Sequence, residues 1–181
     1  MSCFRGVCFV VAIIACHTTC SLAQEMSLPK PGPELDVFKS DIGSWDVTIK
    51  AWAGPGEPTI TKGKETNRML GGFWLLTDFS GNMMGLDFVG HGMYSYDATK
   101  KQYIGSWVDS LSSSKMEMVG KYDPKKQTLT YEGMAPNAEG KLAKHVLETT
   151  YGKDGSKVVT MHMDADGTML KIFEMSYAKA K

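Results

Sequence analysis

Gly43-Ser44-Trp45-Asp46-Val47-Thr48-Ile49-Lys50 is the stretch that decides the fold. A glycine leads into a tryptophan. From there Trp45, Val47, Ile49 and Ala51 alternate with Asp46, Thr48 and Lys50. That period of two is the pattern of a half-buried β-strand. Gly54-Pro55-Gly56-Glu57-Pro58 then breaks it with a turn.

Toward the C-terminus the same pattern recurs. Further strands are predicted over residues 59–70, 73–81, 86–96, 103–110, 115–122, 128–133, 141–151, 157–163 and 169–178. Gly71-Gly72, Asp154-Gly155 and Asp166-Gly167 read as two-residue hairpin loops. Met83-Met84-Gly85 and Asp123-Pro124-Lys125-Lys126 supply other turns. No helical stretch separates the strands, which excludes parallel crossovers. Consecutive hairpins make a meander, and closing it removes both edges. The predicted fold is therefore all-β: a closed antiparallel up-and-down β-barrel of about ten strands with a short N-terminal helix. In that helix, Glu34 to Asp41, the residues Leu35, Phe38 and Ile42 share a face suited to plugging one barrel end.

Toward the N-terminus the chain reads as an export signal. Arg5 is followed by an apolar run from Val7 to Ala15, and Ser21-Leu22-Ala23 supplies small residues for cleavage. The run is too short to span a bilayer. Residues 1–23 are read as the signal peptide, 24–33 as a proline-rich linker and 34–181 as a single barrel domain. The expected location is periplasmic or secreted. The alternative is a lipid anchor on Cys16, from Ile13-Ile14-Ala15-Cys16. All 4 cysteines precede Ala23, so the barrel must hold without disulfides and offers no thiolate chemistry.

The 181 residues carry 20 basic and 20 acidic side chains, spread along the chain. That balance argues against nucleic acid as a partner, since binding it needs a basic face. No Gly-x-Ser-x-Gly elbow, His-Glu-x-x-His, P-loop or dinucleotide fingerprint is present, so no catalytic residue and no cofactor is assigned.

Several segments taken together carry a resemblance. They are Lys30-Pro31-Gly32-Pro33-Glu34, Gly43-Ser44-Trp45-Asp46-Val47, Trp52 with Gly54-Pro55-Gly56, and Leu70-Gly71-Gly72-Phe73. Met83-Met84-Gly85, Tyr96-Asp97 with Lys101 and Tyr103, Trp107-Val108-Asp109-Ser110 and Glu174-Met175-Ser176-Tyr177 complete the set. With them the chain resembles the bacterial DUF1579 family, and Gly43-Ser44-Trp45 resembles the Gly-x-Trp opening of calycin or lipocalin-like barrels. The resemblance implies such a barrel and no activity. Haem-binding barrels of the nitrobindin type resemble the same architecture, and their iron needs an inward histidine from a late strand.

Side-chain direction follows from pairing register. If Lys153 pairs with Ser156 across Asp154-Gly155, Val146, Glu148, Thr150, Val159, Met161 and Met163 share a face. That face is the more apolar and is placed inside. His145 and His162 then lie together outside, as solvent-facing histidines rather than a metal pair, and the haem reading loses its ligand. The Asp166-Gly167 turn extends the inner face to Leu170, Ile172 and Glu174. If Leu70 pairs with Phe73, Arg68 points in with Leu75 and Phe79. Tyr103, Trp107 and Asp109 are also placed inside. A turn of three or five residues would reverse these faces.

The inner face suggests a binder of a small apolar or amphipathic ligand. Its candidate lining is Arg68, Phe79, Phe88, Tyr94, Trp107, Asp109, Met118, Tyr131, Glu148 and Glu174. Arg68 is expected to pair with the inward carboxylates, since buried charges need partners. One alternative is an enzyme using Glu148, Glu174 or Asp109 as acid or base. Another is a filled interaction barrel that presents Trp74 and Leu76 outward. The inward methionines Met116, Met118, Met161 and Met163 suit an adaptable core. A copper site at Met83-Met84 is a lesser option.

Overall fold

In the computed structural model, which describes residues 28–83 and 85–181, Trp45, Val47, Ile49 and Ala51 all point into one core. The strand pattern read around Trp45 is thus a true inside–outside alternation. The predicted signal, its cysteines, the start of the linker and Met84 lie outside the described residues.

Ten antiparallel strands among the described residues close into a barrel. They are β1 (Gly43–Ala51), β2 (Thr59–Leu70), β3 (Trp74–Met83), β4 (Leu86–Asp97), β5 (Gln102–Asp109), β6 (Met116–Asp123), β7 (Thr128–Pro136), β8 (Leu142–Tyr151), β9 (Lys157–Ala165) and β10 (Thr168–Lys179). Each strand pairs with its sequence neighbours. Closure comes from β1 against β10, with Trp45 opposite Lys179 and Ala51 opposite Phe173. Among the described residues the closed barrel leaves no strand edge unpaired. Among the described residues no helix is long and apolar enough to cross a membrane.

The plug is a 3₁₀ helix, Pro33–Ser40, with proline in its first turn. At three residues per turn, Leu35 and Phe38 fall on one line, and both are buried. Ile42 lies past the helix end and is exposed. Phe38 meets Tyr103 edge-on at 5.9 Å, and the Tyr103 hydroxyl donates to the Glu34 carbonyl at 2.8 Å. Leu35, Phe38, Leu75, Leu129 and Tyr131 fill this end of the barrel. The β2–β3, β4–β5, β6–β7 and β8–β9 loops surround the plug. The other loops rim the opposite end.

Three local irregularities set which side chains face in, and they correct the expected register. At the first glycine pair, Gly71 and Gly72 adopt positive φ (60° and 77°) and Phe73 N–H donates to the Leu70 carbonyl at 3.1 Å. The tight turn forms, but the ladder resumes at Leu70 opposite Trp74, leaving Phe73 unpaired. Phe73 packs against the plug-end core instead. One extra residue flips β2 relative to β3, so Arg68 faces solvent while Glu65 and Asn67 face in.

The β8–β9 connection is also odd in length. Tyr151 pairs with Lys157, leaving five residues between them. The Asp154 carboxylate accepts from Ser156 N–H at 3.0 Å and from its hydroxyl at 2.6 Å, and Gly155 takes positive φ. A three-residue tip ending in a left-handed glycine is thereby stabilised over the expected two-residue turn. On β8 the faces reverse: His145, Leu147 and Thr149 point in, and Val146 and Glu148 point out. Val159, Met161 and Met163 stay inside, and His162 outside, as expected.

The Asp166-Gly167 turn forms with both residues at positive φ, and Leu170 lies opposite Met163 as expected. A bulge between Lys171 and Phe173 then shifts the register by one residue. Phe173, Met175 and Tyr177 turn inward, and Glu174 turns out.

Candidate functional site

A cavity of about 370 Å³ occupies the barrel toward the end opposite the plug. Its walls are apolar: Phe79, Phe88, Trp107, Met118, Leu147 and Met161 among others. Two larger depressions, of about 680 and 840 Å³, are open surface grooves with charged rims such as Lys62 and Lys121.

Of the ten residues assigned from sequence, Phe79, Phe88, Tyr94, Trp107, Asp109 and Met118 line the cavity. Tyr131 lies deeper, in a separate void near the plug. Arg68, Glu148 and Glu174 are on the outer wall, so the expected inward ion network around Arg68 does not exist. Glu174 pairs instead with Lys171 at 2.9 Å and Lys50 at 3.4 Å. The hydrogen bond from Lys171 holds its carboxyl below the usual range. Of the three carboxylates weighed as acid or base, Asp109 alone is inside. Trp74 and Leu76 are on the outer wall as expected.

Glycines make room for the aromatic wall. A Cβ on Gly90 would fall inside the Trp107 indole. Trp107 therefore lies over β4 and stacks near Phe88, with ring centres 6.4 Å apart and planes 13° apart. Its indole N–H donates to Asp109 Oδ2 at 3.1 Å, while Leu111 N–H donates to Oδ1 at 2.9 Å. These bonds fix the carboxylate at the cavity mouth beside Ser112 and Ser114.

His145 was expected outside with His162. It is instead buried, on the cavity wall, with Nδ1 3.1 Å from the Ala143 carbonyl. Facing a carbonyl, Nδ1 is the donor in this contact. The inward late-strand histidine asked of a haem barrel is thus His145, not His162. The two rings lie on opposite faces of the sheet and cannot form the surface pair. Among the described residues no group of three or more His, Cys, Asp or Glu side chains is placed to hold a metal ion.

Beneath the cavity lies a buried polar cluster that sequence reasoning missed. Lys157 Nζ reaches Asp41 Oδ1 at 2.8 Å and Glu65 Oε1 at 3.1 Å. Asn67 Nδ2 and the Tyr177 hydroxyl also donate to Glu65, at 2.7 and 3.0 Å, and the Tyr151 hydroxyl donates to Asp41 at 2.9 Å. Trp45 donates its indole N–H to the Asp41 carbonyl at 2.7 Å. Burial pulls the Lys157 ammonium toward deprotonation, but Asp41 and Glu65 outweigh it and hold its pKa above the ordinary lysine value. Two carboxylates share one ammonium. Burial accordingly raises the Asp41 pKa by more than Lys157 lowers it, with Glu65 adding to the rise. A void of about 60 Å³ adjoins the cluster, and on its lining Asn67 Oδ1 and the Tyr131 hydroxyl have no protein partner. One signal for this cluster was present in the sequence. Lys157 shares its parity with Val159 and Met161, so placing those two inside placed it inside as well.

Fold and interior together define a closed ten-stranded antiparallel barrel, plugged at one end and hollow toward the other. A family model described as "Protein of unknown function (DUF1579)" matches residues 30–179, and the chain belongs to that family. Among solved structures it is similar to Rv2717c from M. tuberculosis, with 12% sequence identity and a TM-score of 0.59. That match covers 84% of this chain and 100% of the other, and it shows a shared fold. No curated protein matches the chain.

Proposed function

We propose that this protein is an exported barrel that binds a small apolar or amphipathic molecule in its interior. The observation that carries the reading is the cavity of about 370 Å³, with aromatic and methionine walls and a few fixed polar groups. Small-molecule sites have this make-up: apolar surface supplies affinity, and sparse polar groups supply orientation. Flexible thioethers from Met118 and Met161 suit such a wall to varied shapes. Export rests on Arg5, the apolar run that follows it and the Ser21-Leu22-Ala23 site.

Titration with the neutral fluorophore N-phenyl-1-naphthylamine tests the binding role. Saturable enhancement is expected, and Ala135→Trp, which adds bulk to the cavity lining, should abolish it while the fold persists by circular dichroism. No saturable enhancement, or binding unchanged in Ala135→Trp, would remove the cavity from consideration. Export is checked by the mass of the protein recovered outside the cytoplasm. Cleavage after Ala23 gives a chain starting at Gln24, and the lipid-anchored alternative gives one starting at modified Cys16.

A further inference from the structure

We infer that the cavity selects ligands whose polar head is a protonated amine, seated against Asp109 at the mouth, and disfavours carboxylates. This rests on the binding role proposed above.

Among the described residues no lysine or arginine lines the cavity; its charged lining groups are the carboxylates of Glu65 and Asp109. Their situations differ. Glu65 is already matched by the Lys157 ammonium and also accepts from Asn67 and Tyr177. Asp109 receives one neutral donor on each oxygen, from Trp107 and Leu111. A carboxylate can accept at about four lone-pair positions. Asp109 therefore keeps acceptor capacity while both oxygens are held in place.

The surroundings favour a cation as well. Trp107 and Phe88 stack beside one another, and Phe79 meets Phe88 edge-on at 5.8 Å. Aromatic faces attract ammonium groups through the ring quadrupole. Hydrogen bonds from an ammonium to a carboxylate are of the strong, charge-assisted kind. A carboxylate head would instead meet Asp109 as a like charge, with no lysine or arginine on the described lining to offset it. The apolar tail of such a ligand would run inward along Met118, Leu147 and Met161.

Displacement of N-phenyl-1-naphthylamine by three chains of equal length, decylamine, 1-decanol and decanoate, separates the cases at neutral pH. Decylamine is expected to displace the probe at about tenfold lower concentration than decanoate. Asp109→Asn should bring the two close together, each displacement being read against the variant's own affinity for the probe. Decanoate matching or beating decylamine, or a preference that survives in Asp109→Asn, overturns the amine head and leaves the binding role standing. A probe that never binds the wild-type protein overturns both.

Discussion

Lys157 on β9 and Asp41 at the end of the plug helix form an ion pair of 2.8 Å with each side chain only 5% exposed. The pair ties the plug to the barrel wall, and Glu65 on β2 draws on the same ammonium at 3.1 Å. Lys157 also lies over the Tyr177 ring at 4.0 Å. Replacing it with methionine keeps the bulk and strands two carboxylates. Lys157→Met is expected to lose about 3–5 kcal/mol in urea unfolding. The combination with Asp41→Asn and Glu65→Gln should recover much of that loss. A single mutant as stable as wild type would show that the pair does not hold the plug.

Asp41 gives an acid-side signature. Its pKa is raised in the fold from an ordinary value of 3.8, so between that value and its raised one the folded chain holds a proton that the unfolded chain releases. Its contribution is full below 3.8 and is lost as pH rises through the raised value. The stability of wild type relative to Asp41→Asn should therefore improve as pH falls through that window. Unfolding curves at a series of pH values check the sign, and a relative loss of wild-type stability on acidification would contradict it.

The alkaline side is governed by tyrosines. Burial holds Tyr94, Tyr131, Tyr151 and Tyr177 well above the usual phenol range and pushes Tyr103 up to about 12. Lys157 is likewise raised. Below about pH 10 these groups are protonated in both states, and their contribution is complete. Above it the unfolded chain ionises first, so stability falls as pH rises. Phenolate absorbance is expected to appear for these tyrosines in one cooperative step with loss of circular dichroism. Ionisation of all of them well before unfolding would refute their burial.

Gly90, covered by the Trp107 indole, offers a local test. Gly90→Ala would set a methyl group where the indole lies. A loss of about 1–3 kcal/mol is expected, as for overpacked cores. Trp107 emission should shift at the same time, read against a Trp107→Phe control. Unchanged stability and emission would place the indole elsewhere.

The outer-wall residues should be quiet. Glu148→Gln and Arg68→Gln are expected to change stability by about 0.5 kcal/mol or less. Both should bind N-phenyl-1-naphthylamine as wild type does. A large loss of binding in either would restore the inward register.

The barrel was legible in the sequence because alternation and turn residues are local. Trp45, Val47 and Ile49 announce one face of β1, and Gly71-Gly72, Gly155 and Gly167 mark hairpins at positive φ. Most of the aromatic wall was legible for the same reason: Phe79, Phe88, Tyr94 and Trp107 sit on strands whose faces are set by their own alternation. The sites of Glu148, Arg68 and His145 were not, because each lies beyond a loop whose residue count decides the face. Asp154 capping Ser156 and Phe73 packing under the plug each added an odd residue, and the bulge in β10 did the same to Glu174.

By itself, then, the sequence determined a closed meander of short strands, a helical plug and an apolar interior, since these follow from periodicity and turn chemistry within about ten residues. Only the tertiary structure decided which charges are inside. With a side-chain period of two, a single extra residue exchanges the two faces of a strand. That residue is accommodated at Phe73 by packing against the plug-end core, and in the β8–β9 loop by the bonds of Asp154 to Ser156. Lys157, Asp41 and Glu65 meet in the core although β9, the plug and β2 are far apart in sequence, and no local pattern encodes that meeting.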